Sequence, residues 1–264
     1  MSAASEDVAL LPYAEWGDPS SPLVVLLHGL LSDHRAWMPA VQLLANDYCV
    51  VAPDLPGHGT NQGDRDIVEP SVAALAHAVR ALILERGATI CAIAGEGLGA
   101  AVALELALDT PDLLAGLALV GLPFGPVARE QQIIARRFGT RVVGKREASG
   151  IEDPFLSAGI RARYARLDAE AFLRGARLLD SWGLREGAVG DLGATPLLIV
   201  VGEHDPSRQA TEAFARHIAH ARIAVLHEAA DRPLDARPEA VAALLADFLH
   251  GVEDGAPLGG SIIA

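Results

Sequence analysis

The stretch Gly95-Glu96-Gly97-Leu98-Gly99 sets one acidic side chain among three glycines. It follows an apolar run and opens a segment rich in Ala and Leu, the pattern of a strand turning directly into a helix. Such a turn leaves almost no room for side chains two residues before and two residues after its apex. Gly95 and Gly99 satisfy that rule when Gly97 is the apex; with Glu96 at the apex, Leu98 would clash. Glycine takes the positive φ of such an apex without steric cost, but it brings no nucleophile. Glu96 beside it is either a buried acid with a raised pKa or a structural hydrogen-bond partner. Two further carboxylates stand near the ends of apolar runs, Asp205 and Asp231, 26 positions apart. His34, His58, His77, His204, His217, His220 and His250 are scattered, and none pairs at metal-ligand spacing with a second carboxylate, so no metal is expected. No Gly-x-Gly-x-x-Gly follows the first buried strand, and no cofactor is expected. Cys49 and Cys91 lie in apolar runs and read as buried thiols rather than a disulfide or a nucleophile.

The elements that must position these groups alternate. Apolar runs without polar interruption cover Leu23–Leu27, Cys49–Ala52, Ile90–Ala94, Leu117–Val120, Leu197–Val201 and Ile223–Leu226. Strands buried on both faces read this way, as in parallel sheets. Between them lie helical patterns. Ser71–Glu85 carries Val72, Leu75, Val79 and Leu82 on one stripe, Gly99–Leu108 is rich in Ala and Leu, and Pro238–His250 spaces Val241, Leu244, Leu245, Phe248 and Leu249 helically. The order predicts an α/β fold, a doubly wound and mostly parallel sheet with helices on both faces. Residues 124–190 break the rhythm: they show no clear strand, are rich in Arg, and carry Phe138, Phe155, Tyr164, Phe172 and Trp182. They read as a helical cap inserted between core segments 1–123 and 191–264. The tail, 251–264, is rich in Gly and small residues and is expected to be mobile.

Five motifs in this order resemble the α/β-hydrolase superfamily. Gly95–Gly99 resembles its nucleophile elbow, with Gly97 where the family has Ser, Cys or Asp. Leu27-His28-Gly29-Leu30 followed by Trp37 is similar to the His-Gly loop, and Asp54-Leu55-Pro56-Gly57-His58-Gly59 to the Asp-x-x-Gly-x-Gly turn. Gly202-Glu203-His204-Asp205 resembles the motif of the triad acid. Asp231 stands where the family has its catalytic histidine. The resemblance covers nearly the whole chain except the cap. It implies an α/β-hydrolase fold with an oxyanion hole made by the backbone N–H groups of Leu30 and Leu98. It also implies a triad reduced to its acid, Asp205, since a Ser-His-Asp mechanism needs nucleophile, base and orienting carboxylate together. If both loops keep the family geometry, Asp205 and Asp231 approach each other and one holds its proton near neutrality; the competing reading has Arg232 neutralising Asp231. His227, four residues before Asp231, is the candidate for a displaced base. His28, Gly97, Glu96, Trp37, Leu122 and Phe124 are the candidate substrate-binding residues, and His28 most often shapes its loop.

The chain has 264 residues, 51% hydrophobic and 21% charged, with a formal net charge of −13. That charge argues against nucleic-acid partners and anionic membrane surfaces. Residues 1–18 hold no positive cluster and no long apolar run, so a cytoplasmic location is expected. The expected partner is a small apolar substrate. The leading expectation is an enzyme that has left hydrolysis for cyclisation, C–C bond formation or lyase chemistry in bacterial natural-product biosynthesis. The rivals are a non-catalytic small-molecule binding protein using the vacated pocket, and a hydrolase with a non-standard base.

Overall fold

The computed structural model describes residues 11–30, 32–61, 71–123, 175, 177–179, 181–184, 188–255 and 260–264. Phe124 and most of the expected cap therefore lie outside the described residues. In chain order the elements are β1 (Tyr13–Trp16), β2 (Leu23–Leu27), a 3-10 turn (His34–Trp37) and α1 (Met38–Leu44), followed by β3 (Cys49–Pro53), α2 (Val72–Glu85), β4 (Cys91–Glu96), α3 (Leu98–Asp109) and β5 (Leu114–Val120). After the cap region come α4 (Ala188–Asp191), β6 (Leu197–Gly202), α5 (Arg208–Ala215), β7 (Ala221–Leu226), α6 (Pro233–Ala236), α7 (Pro238–Glu253) and β8 (Gly260–Ile263).

The strands form one sheet in the order β1-β3-β2-β4-β5-β6-β7-β8. β1 runs antiparallel to β3, and every other neighbouring pair is parallel. Chain order reverses between β2 and β4, beside the elbow, which is where open α/β sheets bind ligands at the carboxyl ends of their strands. Every residue of β2, β3, β4 and β6 is buried, as their unbroken apolar runs require. One face packs against α2 and α3, joining Val25, Leu27, Ile93, Leu104 and Leu119 in a single core. The other packs against α1 and α7, with Trp37, Leu26, Val200 and Phe248 at its centre. Gly116 in β5 makes space for that second layer: a Cβ there would lie 3.3 Å from the Phe248 ring. Ser71 caps α2 by accepting from the Ala74 N–H at 3.0 Å.

Within the segment expected to be mobile, α7 continues to Glu253 and residues 260–263 add β8 in parallel to β7. Edge pairing with β7 outweighs the small-residue composition, since an unpaired strand edge is costly and accepts any extended segment. Trp37 is corrected from a substrate-binding residue to a core residue: it has no exposed surface and packs in the α1/α7 layer. Among the described residues no helix is long and apolar enough to cross a membrane.

Candidate active site

The elbow is built by two close approaches. A Cβ on Gly95 would lie 2.2 Å from the Gly99 carbonyl oxygen, and one on Gly99 would lie 2.3 Å from the Leu27 carbonyl oxygen. Both positions exclude every larger residue. Gly97 differs: a Cβ there would meet no heavy atom nearer than Gly29 Cα at 3.9 Å. Its φ of 53° suits glycine, so conformation and not crowding selects the residue type. Gly97 is also the one residue between Cys91 and Ala100 that solvent partly reaches.

Backbone donors surround that opening. Gly97 is the N-cap of the twelve-residue α3 and offers no side-chain cap. The first N–H of the helix to find a carbonyl is that of Ala101, which donates to Gly97 O at 3.0 Å. Among the described residues, the Leu98 and Leu30 N–H groups have no acceptor. The two leucine side chains are buried together, and Gly175 of the cap region sits over them. A Cβ on Gly175 would lie 2.3 Å from Leu30 Cδ2 and 3.9 Å from Leu98 Cδ2. Uncapped donors at a helix N-terminus favour negative charge.

His28 and Asp54 are structural. The Leu55 N–H donates to His28 Nε2 at 2.9 Å, which leaves the proton on Nδ1 to be donated to the Gly29 carbonyl at 2.8 Å. Burial, reinforced by the neighbouring His58, pushes the His28 pKa down to about 3, so the ring is neutral. With both nitrogens committed and no exposed surface, His28 is corrected from a substrate-binding residue to a brace of its loop. Asp54 accepts from the N–H and Nδ1 of His34 and from the N–H and hydroxyl of Thr60, at 2.8–2.9 Å. Gly59 must be glycine because its Cβ would fall 2.3 Å from that carboxylate.

Asp205 is the contrasting carboxylate. It is 8% exposed, and its Oδ1 accepts from the Ser207 N–H at 2.7 Å and the Ser207 hydroxyl at 2.8 Å. Burial raises its pKa above the ordinary value, the Ser207 bonds oppose that shift, and the nearby charge of Asp231 adds to it. The two carboxyls are thus electrostatic neighbours. Arg232 donates to Asp235 at 2.6 Å and to the Leu30 carbonyl at 3.1 Å. Ser207 was missed in the sequence, where Arg232 was read only as a possible partner of Asp231; the Asp-x-Ser spacing, typical of a local turn in which Asp bonds two residues on, was the available signal for Ser207.

Glu96 is buried and lies beneath the His-Gly loop, where a Cβ on Gly29 would come 2.9 Å from its Oε2. Leu122 is 1% exposed within the α2/α3 core, and its carbonyl accepts from the Ser207 hydroxyl at 3.4 Å. Its side chain is therefore packing and not pocket wall. His227 is largely exposed, and its Nδ1 contacts Glu203 at 2.9 Å. No described bond ties it to Asp205 or to the elbow. Cys49 and Cys91 are buried and free, and burial pushes the Cys91 thiol up to about 12, which makes it inert. Among the described residues no cluster of three or more His, Cys, Asp or Glu could hold a metal ion.

Comparison with known proteins bears on the same region. The match to an uncharacterized protein of Mycobacterium tuberculosis is 35% identical over 117 residues, 44% of this chain and 33% of that protein. A protein described as a candidate carbamate hydrolase, RutD, of Enterobacter cloacae is 37% identical over 100 residues, 38% of this chain and 37% of that protein. The match thus spans about a third of the length of these curated relatives. A carboxylesterase structure from Nitrososphaera gargenis superposes with a TM-score of 0.80 at 20% identity, covering 92% of this chain and 95% of that one, which is a likeness of fold. The family profile described as "Alpha/beta hydrolase family" matches residues 24–244. With that match added to the eight-stranded sheet and its elbow, the chain belongs to the α/β-hydrolase family.

Proposed function

We propose that this chain is an enzyme that keeps the oxyanion-binding elbow of its family and has given up the covalent nucleophile. The observation that carries the reading is Gly97: an apex of intact geometry, open to space, with no side chain to acylate. Hydrolysis through a triad also needs a base that orients on Asp205, and Asp231 stands at that place in the chain. The remaining chemistry is polarisation of a carbonyl or phenol by the Leu30 and Leu98 N–H groups, with proton transfer by the Asp205–Asp231 pair. Donors aimed at a developing oxyanion stabilise an enolate as well as a tetrahedral intermediate. A carboxyl with a raised pKa serves as the acid or base at moderate pH. Cyclisation, C–C bond formation and lyase reactions on a bulky apolar substrate all use this pair of functions, and natural-product biosynthesis is the setting that fits.

The names of the carbamate-hydrolase and carboxylesterase relatives favour a second reading, in which a carboxylate activates water for direct hydrolysis. One experiment separates the two. The chain is incubated with an aryl alkyl ketone in deuterated water and, separately, with activated esters and a fluorophosphonate probe. Exchange of the ketone's α-hydrogen that is lost in Asp205→Asn supports the enolate reading. Ester turnover that depends on Asp205 but leaves residue 97 unlabelled supports direct hydrolysis. Neither activity, with the ketone bound nonetheless, marks a binding protein and refutes the enzyme reading.

A further inference from the structure

Asp205 begins a tight turn, in which its carbonyl accepts from the Arg208 N–H at 3.0 Å and the chain enters α5. Ser207 stands at the N-cap of that helix. A serine there ordinarily accepts from an N–H of the first turn, as Ser71 does for α2 at 3.0 Å. Ser207 makes no such cap. Its hydroxyl instead lies 2.8 Å from Asp205 Oδ1 and 3.4 Å from the Leu122 carbonyl. A hydroxyl has a single proton to give, and the shorter contact to a carboxylate takes it. The helix thus goes without its side-chain cap, and Asp205 gains a donor.

Both bonds to the Asp205 carboxyl fall on the same oxygen. The Ser207 N–H, at 2.7 Å, and the Ser207 hydroxyl donate to Oδ1, while Oδ2 accepts no hydrogen bond among the described residues. A carboxylate oxygen offers about two lone pairs. Ser207 occupies both at Oδ1, so a proton arriving there must displace a donor, and the N–H is fixed in the backbone. At Oδ2 a proton displaces nothing. Burial favours the protonated carboxyl, and so does Asp231, the one charge that bears on Asp205 among the described residues. The Ser207 bonds then decide which oxygen carries the proton.

We propose that Ser207 is a positioning residue: it holds the charge of the Asp205 carboxyl on Oδ1 and so makes Oδ2 the oxygen that takes and returns the substrate's proton. In that step the C–H bond beside the carbonyl breaks, its electron pair stays on the enolate, and an O–H bond forms at Oδ2. The inference rests on the proton-transfer reading given above.

Neutron diffraction tests the placement, on crystals of the full chain equilibrated in deuterated buffer at acid pD. The unmodified chain should show a deuteron on Asp205 Oδ2 and the Ser207 hydroxyl deuteron directed at Oδ1. In Ser207→Ala the deuteron should occupy both oxygens in part, and the pH profile of ketone α-hydrogen exchange should move up by as much as about one unit. Ser207→Thr, which keeps the hydroxyl, should restore both readouts; a hydroxyl that served the fold alone would move neither. A deuteron on Oδ1 in the unmodified chain, one found on Asp231 alone, or one held wholly by Oδ2 in Ser207→Ala overturns the proposal and leaves the enolate reading standing. An unmodified chain that exchanges no ketone hydrogen is a different failure: it removes the proton-transfer reading and the proposal with it.

Discussion

Two aspartates follow two strands of the same sheet. Asp54 comes directly after β3, and Asp205 comes three residues after β6. Asp54 is 1% exposed and Asp205 is 8% exposed, so water reaches neither to any extent. Burial pushes both pKa values up, yet they move in opposite directions. At Asp54 the bonds from Thr60 and His34 outweigh burial and hold the carboxyl below its ordinary value. At Asp205 two bonds from one residue, Ser207, do not, and the Asp231 charge adds to the rise. The number of donors around a buried carboxylate and the charge of its neighbour thus decide whether it is a fixed bolt or a group that can exchange a proton. Asp54 ties the His34 turn to the Gly57–Gly59 turn, whereas Asp205 is left with a titration to use.

The sharpest way to break this contrast is to remove each carboxylate. Asp54→Ala strands the four donors of His34 and Thr60 in the interior, and it should cost about 3 kcal/mol or more. Urea unfolding followed by circular dichroism checks this, and a loss under about 1 kcal/mol would show that Asp54 is not a bolt.

Asp205→Asn should leave stability at neutral pH unchanged or slightly improved, because it removes a carboxylate that burial and Asp231 disfavour. It should lower the ketone exchange rate on the order of a hundredfold, the usual scale of general acid–base catalysis. Equal losses of stability in Asp54→Ala and Asp205→Asn would erase the distinction.

The pH dependence of stability carries the same contrast with opposite signs. The folded-state pKa of Asp54 is lowered, so its contribution is present above the unfolded value and is lost as pH falls through the folded one. The folded-state pKa of Asp205 is raised, so its contribution is present at acid pH and is lost as pH rises through the folded value. Neutral, buried His28 acts in the sense of Asp54: its pKa of about 3 means that stability is lost as pH falls from 6.5 towards 3. Wild-type stability should therefore decline below about pH 6, and Asp205→Asn should gain on wild type above about pH 4. Chemical unfolding at a series of pH values reads both, and an Asp205→Asn difference that shrinks with rising pH would reverse the sign assigned to Asp205.

The finest comparison removes one hydroxyl at each site. Thr60→Val takes one donor of four from Asp54 and should cost about 1 kcal/mol of stability. Ser207→Ala takes one donor of two from Asp205, which should raise its pKa further and move the exchange-rate profile toward higher pH by up to about one unit. A profile that stays in place would mean that the Ser207 backbone N–H alone sets the Asp205 pKa.

Much of this arrangement was legible in the residues themselves. The six buried strands could be read from apolar runs, and the helices of the core from their spacing. Gly95 and Gly99 announced the elbow because a Cβ at either place meets backbone, a constraint between residues a few positions apart. The strand at the end of the chain and the burial of Trp37 were not legible for one reason. Composition says that a segment is small or aromatic, but a strand edge or a helix layer contributed by distant residues decides where it packs.

The sequence by itself determined the family, six central strands in chain order, the bare apex at Gly97 and the presence of acids at 205 and 231, all of which follow from residue types and local spacing. Only the tertiary structure decided that His28 is a neutral brace and that Asp54 and Asp205 titrate in opposite directions. It also decided that Arg232 spans 202 positions to hold the Leu30 carbonyl. A pKa and a hydrogen bond depend on which groups meet in a water-poor space, and residues that meet there are set by the fold and not by their separation along the chain.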